Sequence, residues 1–281
     1  MLRRVQIVDV FTATPYRGNP VAVVLDSEGL DTEAMQRFAH WMNLSETTFV
    51  LPPTEPGADY AVRIFTPTME LPFAGHPTLG TCHAWLTTDD ASTHAGDTGR
   101  AVVQQCGVGL VEIHRGAGRL AFAGPPLRRA GPVDEPLVER IASVLNIDRG
   151  AIHAAEWVDN GPGWVAVMLA DPDAVLAIQP GPIGDLDIGV VAPYPPGSPH
   201  AFEVRAFFPK DGMTVEDPVT GSLNASLAQW LLNTGQASAP YVVSQGTALG
   251  RAGRVHIGRD DAGTVWVGGD TVTCVTGEVE L

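Results

Sequence analysis

Apolar residues along this 281-residue chain recur with two different periods, which predicts both strands and helices. Short β-branched runs at Val5–Phe11, Pro20–Leu25 and Tyr60–Thr66 are typical of strands, and the first two flank a turn-forming segment. Glu135–Leu145 has its apolar residues in helical register and predicts an amphipathic helix. Pro180–Pro199 is rich in proline and glycine and predicts a loop. The pattern as a whole indicates an α+β protein.

Two earlier helices are also predicted. The first follows Asp31, a good N-cap, and its apolar residues recur at helical spacing. Those residues are Leu30, Ala34, Phe38 and Trp41. The second begins at Gly75-His76-Pro77 and runs to Leu86, since proline suits the first position of a helix. Between the two helices, Thr47–Leu51 has the composition of a strand.

Several sequence landmarks occur twice, in the same order and about half a chain apart. They are Val21–Leu25 and Val165–Leu169, Arg-x-Phe-x-Pro at Arg63–Pro67 and Arg205–Pro209, and Glu-x-Pro-x-x-Gly at Glu70–Gly75 and Glu216–Gly221. Each copy is followed by an alanine- and leucine-rich stretch that ends in Trp-Leu. Four landmarks displaced together indicate two copies of one structural unit.

The duplication predicts the domain organisation. Gly124-Pro125-Pro126 is the clearest break, so we expect a first unit over residues 1–124 and a second over 125–281. This assignment leaves room for the last strand to pack back on the first unit. The predicted fold is α+β with two pseudo-symmetric halves, each a curled, mostly antiparallel sheet, or partial barrel, around a central helix.

The composition argues against several classes of function. A net charge of −15 argues against nucleic-acid binding, which needs clustered Lys and Arg. No apolar run is long enough for a membrane span, and the first residues lack the apolar core of a leader, so we expect a soluble, cytoplasmic protein without a membrane partner. Three scattered cysteines do not suggest a disulfide framework or metal site. Lys210, the single lysine, lies in a turn-like segment, which argues against imine chemistry.

The two glycine-started helices are the first candidate binding elements. A helix N-terminus presents unpaired N–H groups and partial positive charge, and glycine lets an anion approach the backbone. Gly75 and Gly221, with His76 and Ser222 after them, would therefore bind a carboxylate from two sides. The alternatives are that the glycines only permit tight turns and that His76 only caps its helix. His76 and His83 are about 10 Å apart along the helix, too far to share a metal, so we expect no metal site.

Four acidic residues are candidates for chemistry. Asp217 stands where the first copy has Leu71, which suggests a site made polar in one half, although a turn aspartate is the alternative. Glu70 and Glu216 match each other, and a structural role and a site role remain open for both. Glu46 is the only charged side chain between Trp41 and Leu51 and suits a general acid/base, unless it is simply an exposed loop residue.

Motifs in nearly the whole chain resemble the phenazine-biosynthesis PhzF-like family. They are Asp9-Val10-Phe11, Gly18-Asn19-Pro20, Ser45-Glu46-Thr47, Gly75-His76-Pro77-Thr78, Glu216–Ser222, and Gln245-Gly246 with Gly250-Arg251. The resemblance implies a diaminopimelate epimerase-like fold with the active site between its halves, and a homodimer. It implies that Glu46 is the general acid/base and that His76 and Asp217 are its polar partners. It also implies that Gly75, Gly221 and Ser222 bind a substrate carboxylate.

Cofactor-independent racemases related by this fold use two cysteines, and the corresponding positions here are Ala74 and Thr220. Neither side chain can form a thiolate, so two-thiol racemisation is excluded. We therefore expect an isomerase, without a cofactor, that moves a proton between carbons of a small carboxylated metabolite. The alternatives are a non-catalytic carboxylate-binding protein and a lyase or dehydratase that uses the same base.

Overall fold

The computed structural model describes residues 1–88, 91 and 99–281. The chain forms two compact units, one of residues 1–123 with 268–281 and one of Gly124–Val267. Five α-helices are present in the described residues. They are α1 (Thr32–Met42), α2 (Gly75–Trp85), α3 (Glu135–Leu145), α4 (Pro172–Ala177) and α5 (Gly221–Asn233).

Strands make up most of the remaining regular structure. The first nine are β1 (Leu2–Val10), β2 (Asn19–Val24), β3 (Glu46–Leu51), β4 (Tyr60–Phe65), β5 (Glu70–Leu71), β6 (Val102–Cys106), β7 (Gly109–Gly116), β8 (Arg119–Ala123) and β9 (Arg129–Pro132). The others are β10 (Ala154–Asp159), β11 (Trp164–Met168), β12 (Asp187–Pro193), β13 (Phe202–Lys210), β14 (Met213–Asp217), β15 (Tyr241–Gln245), β16 (Gly253–Arg259), β17 (Val265–Gly269) and β18 (Thr271–Glu280).

The two units repeat one order of strand pairing. In the first unit β1 and β2 are antiparallel, β2 and β3 parallel, β3 and β4 antiparallel, and β4 and β6 parallel, with β5 antiparallel to β4. In the second unit β10, β11, β12, β13 and β15 alternate in the same way, with β14 antiparallel to β13. The shared order supports the duplication inferred from the sequence.

Each unit contains one helix that is almost completely buried. In α2 every residue except His83 is buried, and the helix packs on β1, β2, β3, β6, β8 and β18. In the second unit α5 has buried residues all around it and packs on β10 and β16. A helix that is apolar on all sides belongs in the centre of its unit. The predicted α+β fold class is therefore confirmed.

The outer helices cover the other sides of the sheets. Asp31 caps α1 by accepting the Ala34 N–H at 2.8 Å, and Met35 and Phe38 pack on Val24. In the second unit α3 buries Val138, Ile141, Ala142 and Leu145 against β11 and β12. The helix predicted over Glu135–Leu145 has the observed bounds because its apolar stripe and the sharp left-handed turn at Asn146 define it well.

Three sequence predictions need correction. Pro180–Pro199 is not a continuous loop, because Asp187–Pro193 forms the buried strand β12, parallel to β11. Trp41 lies in α1 but is 75% exposed and is not part of the core. The second unit ends at Val267 rather than at residue 281, because the last strand packs back on the first unit, as the predicted division allowed, and β18 pairs with β1 along nearly its whole length.

The register of the repeat also differs from the sequence alignment by one residue at β2 and β11. Val21 faces the central helix, where a β-carbon on Gly80 would meet its side chain. Val165 instead packs in the core cluster formed with α3. Since a shift of one residue moves a strand's side chains to the opposite face, Val21 corresponds to Ala166, not Val165. Asn19 then corresponds to Trp164.

Candidate active site

Glu46 and His76 are brought together in the first unit. Glu46 is the first residue of β3, which pairs in parallel with β2, and His76 lies in the first turn of α2. Glu46 Oε2 lies 3.3 Å from His76 Nε2, and the two side chains are 15% and 7% exposed. Glu46 is therefore not an exposed loop residue. A carboxyl group beside an imidazole, largely shielded from water, is suited to proton transfer.

His76 is held on its other side by the start of β2. Asn19 is fully buried, and its Nδ2 lies 3.5 Å from His76 Nδ1. Burial lowers the pKa of His76 to about 3, although a hydrogen bond with the Pro20 backbone acts in the opposite direction. The imidazole is therefore neutral at physiological pH, and it can donate a hydrogen bond from one nitrogen and accept one at the other.

Gly75 serves the packing of the first unit as well as the helix start. A β-carbon at Gly75 would lie 2.5 Å from Phe122 Cζ, so a larger residue would displace the ring or the helix. The N-cap residue, Ala74, makes no side-chain hydrogen bond to the first turn. The tight-turn and binding interpretations are therefore compatible, because the same glycine permits close packing and leaves the first N–H groups without a side-chain cap.

The second unit carries a separate polar cluster at the start of α5. Thr220 Oγ1 donates to Asp217 Oδ2 at 2.6 Å, and the Thr220 N–H donates to Gln245 Oε1 at 3.0 Å. Gln245 Nε2 in turn donates to Thr220 Oγ1 at 2.9 Å, and Asn224 Nδ2 donates to Gln245 Oε1 at 2.7 Å. These bonds fix the segment that leads from Asp217 into Gly221.

Ser222, in the first turn of α5, is held by the turn between β10 and β11. Trp164 Nε1 donates to Ser222 Oγ at 3.0 Å, and Asn160 Nδ2 donates to the Ser222 carbonyl at 2.9 Å. Trp164 thus contacts the residue after the helix glycine, as Asn19 does in the first unit. The predicted site residues consequently form two groups: Glu46, His76 and Gly75 in one unit, and Asp217, Gly221 and Ser222 in the other.

Glu70 and Glu216, which occupy the same position of the repeat, each bind an arginine. Arg63 binds Glu70 through two hydrogen bonds of 2.7 and 2.6 Å, and Arg205 binds Glu216 through two of 3.0 and 2.7 Å. Both arginines belong to the repeated Arg-x-Phe-x-Pro segment. This pairing explains why the two motifs recur together, and it favours the structural role for both glutamates.

Glu46 has no acidic counterpart in the second unit. It pairs with Val21, and the corresponding pair across β11 and β12 is Ala166 with Gly189. A β-carbon at Gly189 would lie 2.5 Å from Leu223 Cδ1, so the leucine of α5 occupies that space. The two units therefore share a framework, but this position has a carboxyl group in one and packed leucine in the other.

Comparison with known proteins identifies the family. A family model described as phenazine biosynthesis-like protein matches residues 8–277. The chain belongs to this family. The resemblance inferred from the motifs is thereby confirmed.

Relatives and solved structures agree with this assignment over almost all of the chain. A trans-2,3-dihydro-3-hydroxyanthranilate isomerase of Pseudomonas fluorescens is 36% identical over 87% of this chain and 86% of its own. Antisense-enhancing sequence 1 of Schizosaccharomyces pombe is 32% identical over 96% of both chains. A phenazine biosynthesis protein of the PhzF family from Bacillus anthracis has the same fold, with a TM-score of 0.83, 22% identity and complete coverage of both chains. Membership confirms the expected class of enzyme, an isomerase.

The expectations about metal sites and membrane spans can be compared with the structure of this phenazine biosynthesis-like chain. Within residues 1–88, 91 and 99–281, no group of three or more His, Cys, Asp or Glu could hold a metal ion. His83 Nδ1 lies 2.8 Å from Thr271 Oγ1, and its Nε2 lies 2.9 Å from Thr273 Oγ1. None of the helices described is long and apolar enough to cross a membrane.

Sequence reasoning assigned no role to Asn19, Asn160, Trp164 or Gln245. Asn19 and Gln245 occur in the motifs of the phenazine biosynthesis-like family, but their partners are distant in sequence. Trp164 could have been found from the repeat only with the corrected register, which places it opposite Asn19. Contacts of this kind depend on how β2 and β11 face their helices, and the one-residue slip hides that information.

Proposed function

We propose that this isomerase moves a proton between two carbon atoms of a small carboxylated metabolite by general acid/base catalysis. The observation that carries the proposal is the contact between Glu46 and His76, 3.3 Å apart and largely buried. Glu46 takes a proton from one carbon and returns it to another, which shifts a double bond. The substrate is of the class named for the Pseudomonas relative, a dihydro-hydroxyanthranilate.

His76 supports this proton transfer without being charged itself. Because burial keeps the imidazole neutral, His76 lies 3.3 Å from the Glu46 carboxyl group as an uncharged neighbour and does not hold the carboxylate in a permanent ion pair. A neutral partner leaves the carboxyl group able to exist in both protonation states during the reaction. Asn19 keeps the ring in place from the opposite side.

The substrate carboxylate is assigned to the two uncapped helix starts. Neither Ala74 nor Thr220 caps its helix with a side-chain hydrogen bond, so the N–H groups at Gly75 and Gly221 are suited to an anion. Ser222 adds a hydroxyl group, and Asp217 contributes a polar side chain for the remainder of the substrate. We propose that both groups of residues act on one substrate.

The reaction outcome can be tested with trans-2,3-dihydro-3-hydroxyanthranilate. Wild-type protein, E46Q and the exposed control E28Q are incubated with it and the product is followed by NMR and mass spectrometry. We expect an isomer of unchanged mass from wild type and E28Q, and at least a 100-fold lower rate from E46Q, as loss of a general acid/base causes. Loss of water or ammonia would indicate a lyase or dehydratase. Saturable binding without turnover would indicate a binding protein.

We also propose that the protein is a homodimer, as the family resemblance implies, that it is cytoplasmic, and that it needs no cofactor. Sedimentation should give about twice the 29.7 kDa chain mass, and dialysis against a chelator should leave the activity intact. A monomer in solution would contradict the homodimer. Activity that disappears on dialysis and returns with an added ion or cofactor would contradict the proposal that no cofactor is needed.

A further inference from the structure

The turn between β10 and β11 fixes the direction of the Ser222 hydroxyl group. Indole N–H can only donate, so in the 3.0 Å contact with Trp164 the Ser222 Oγ must be the acceptor. A serine hydroxyl has one hydrogen, and this contact leaves that hydrogen unused. In the part of the chain that the structure describes, Ser222 Oγ has no second hydrogen-bond partner. The hydroxyl group is therefore left as a donor.

The turn that carries this contact is itself held firmly. Asp159 Oδ1 accepts the N–H groups of Gly161 at 2.7 Å and Gly163 at 2.8 Å. Gly161 and Gly163 have φ of 152° and 100°, which glycine adopts readily. Asn160, 7% exposed, uses its Nδ2 to bind the Ser222 carbonyl. The turn thus binds the serine at its backbone, and Trp164, the first residue of β11, binds it at its side chain.

A contact of the same kind occurs at the corresponding position of the first unit. Trp164 and Asn19 occupy the same position of the duplicated unit, at the start of β11 and β2. Each lies against the side chain that follows the helix glycine, Ser222 in one unit and His76 in the other. In the second unit the residue is a pure donor, which sets the hydrogen-bonding role of its neighbour without ambiguity.

We propose that Trp164 and Asn160 are positioning residues that make Ser222 a dedicated hydrogen-bond donor, selecting substrates with a carboxylate over their uncharged amides. The selection arises because an anion accepts the bond more strongly than a neutral carbonyl group does. This inference rests on the carboxylate-binding part of the proposed function. It does not depend on which residue transfers the proton.

Binding of anthranilate and anthranilamide tests the proposal by calorimetry. Anthranilate should bind wild type at least 10-fold more tightly than the amide does. W164F and S222A should each weaken anthranilate binding about 10-fold, as loss of one hydrogen bond to a charged group does, and leave anthranilamide almost unaffected. The double variant should bind anthranilate no more weakly than S222A, because Trp164 acts through the serine.

Unchanged anthranilate affinity in W164F, additive losses in the double variant, or no saturable anthranilate binding to wild type would each overturn the proposal. N160A should also lose affinity for anthranilate and not for the amide, and equal losses for both would contradict its assigned role. The exposed control E28Q should bind anthranilate as the wild type does. The assignment of the base is tested by turnover and not by this binding, which separates the two claims.

A second measurement does not depend on ligand affinity. The indole N–H signal of Trp164 in a ¹⁵N NMR spectrum is identified by its absence in W164F. It should move clearly in S222A, because its acceptor is gone, while the other indole signals stay in place. An unmoved signal would show that the hydrogen bond does not exist in solution and would overturn the inference.

Discussion

At the scale of single residues, Glu46 is distinguished by what its counterpart lacks. The corresponding position in the second unit is Gly189, and Leu223 fills the space where a side chain would be. The two units thus share a framework but differ at the position of the proposed general acid/base. Differences between duplicated units, and not their shared features, indicate the chemistry in this molecule.

The buried imidazole of His76 leads to a prediction about stability and pH. Its pKa falls from an ordinary value near 6.5 to about 3 in the folded state, because burial disfavours the charged form. Below pH 6.5 His76 is therefore protonated in the unfolded chain but stays neutral in the folded chain. As a result, the free energy of unfolding decreases as the pH falls towards 3. The wild-type protein should lose about 2 kcal/mol more than H76Q between pH 7.5 and pH 5.0.

Urea unfolding at both pH values measures this difference. H114Q, which changes an exposed histidine, is the control and should follow the wild type. Equal pH dependence in the wild type and H76Q would show that the imidazole is not kept neutral by the fold.

Residue identities in the site could be predicted from the sequence, but their contacts could not. The motifs singled out Glu46, His76 and Ser222, whose chemistry is evident from residue type. That His76 lies against Asn19, and Ser222 against Trp164, depends on side-chain direction along β2 and β11. Sequence similarity aligned those strands with an error of one residue, and that error places Trp164 on the wrong face.

At the scale of structural elements, the repeated Arg–Glu pairs offer a matched comparison of burial. Arg205 and Glu216 are 5% and 9% exposed, whereas Arg63 and Glu70 are 28% and 39% exposed. Removing one partner of a buried pair leaves an uncompensated charge, while exposed pairs contribute little. E216Q should cost about 3 kcal/mol or more, and E70Q less than about 1 kcal/mol.

Denaturant unfolding of both variants at pH 7.5 and at low and high salt provides the test. The small effect of E70Q should shrink with added salt, because exposed charges are screened. Similar losses of stability in the two variants would contradict the distinction drawn from burial.

Elements with a clear local signal were predicted well. The helix Glu135–Leu145 has an amphipathic stripe and well-marked ends, so its bounds agree with the structure. Strand β12 was missed because proline and glycine surround it, although Ile188, Val190 and Val191 are apolar and buried. Its order comes from parallel pairing with β11, a partner that local composition does not reveal.

At the scale of the whole molecule, the chain closes its first unit with its last strand. β18 pairs with β1 from Leu2 opposite Glu280 to Val10 opposite Thr271. Deleting residues 271–281 should therefore expose the edge of β1 that faces β18 and remove the hydrogen-exchange protection of the β1 amides on that edge. Helix α3, which belongs to the other compact unit, should keep its protection.

Hydrogen exchange followed by mass spectrometry resolves the two regions. Retained protection of β1 in the shortened chain would show that this pairing is not needed. Simultaneous loss of protection in α3 would show that the two units do not behave as separate folding units.

The central claim, that Glu46 carries a proton between two substrate carbons, is tested most directly by solvent exchange. Wild type and E46Q are incubated with trans-2,3-dihydro-3-hydroxyanthranilate in deuterated water, and the position of deuterium in substrate and product is read by NMR. We expect wild-type protein to place solvent deuterium at the carbon that receives the proton, and E46Q to incorporate almost none. Undiminished incorporation by E46Q would contradict the account.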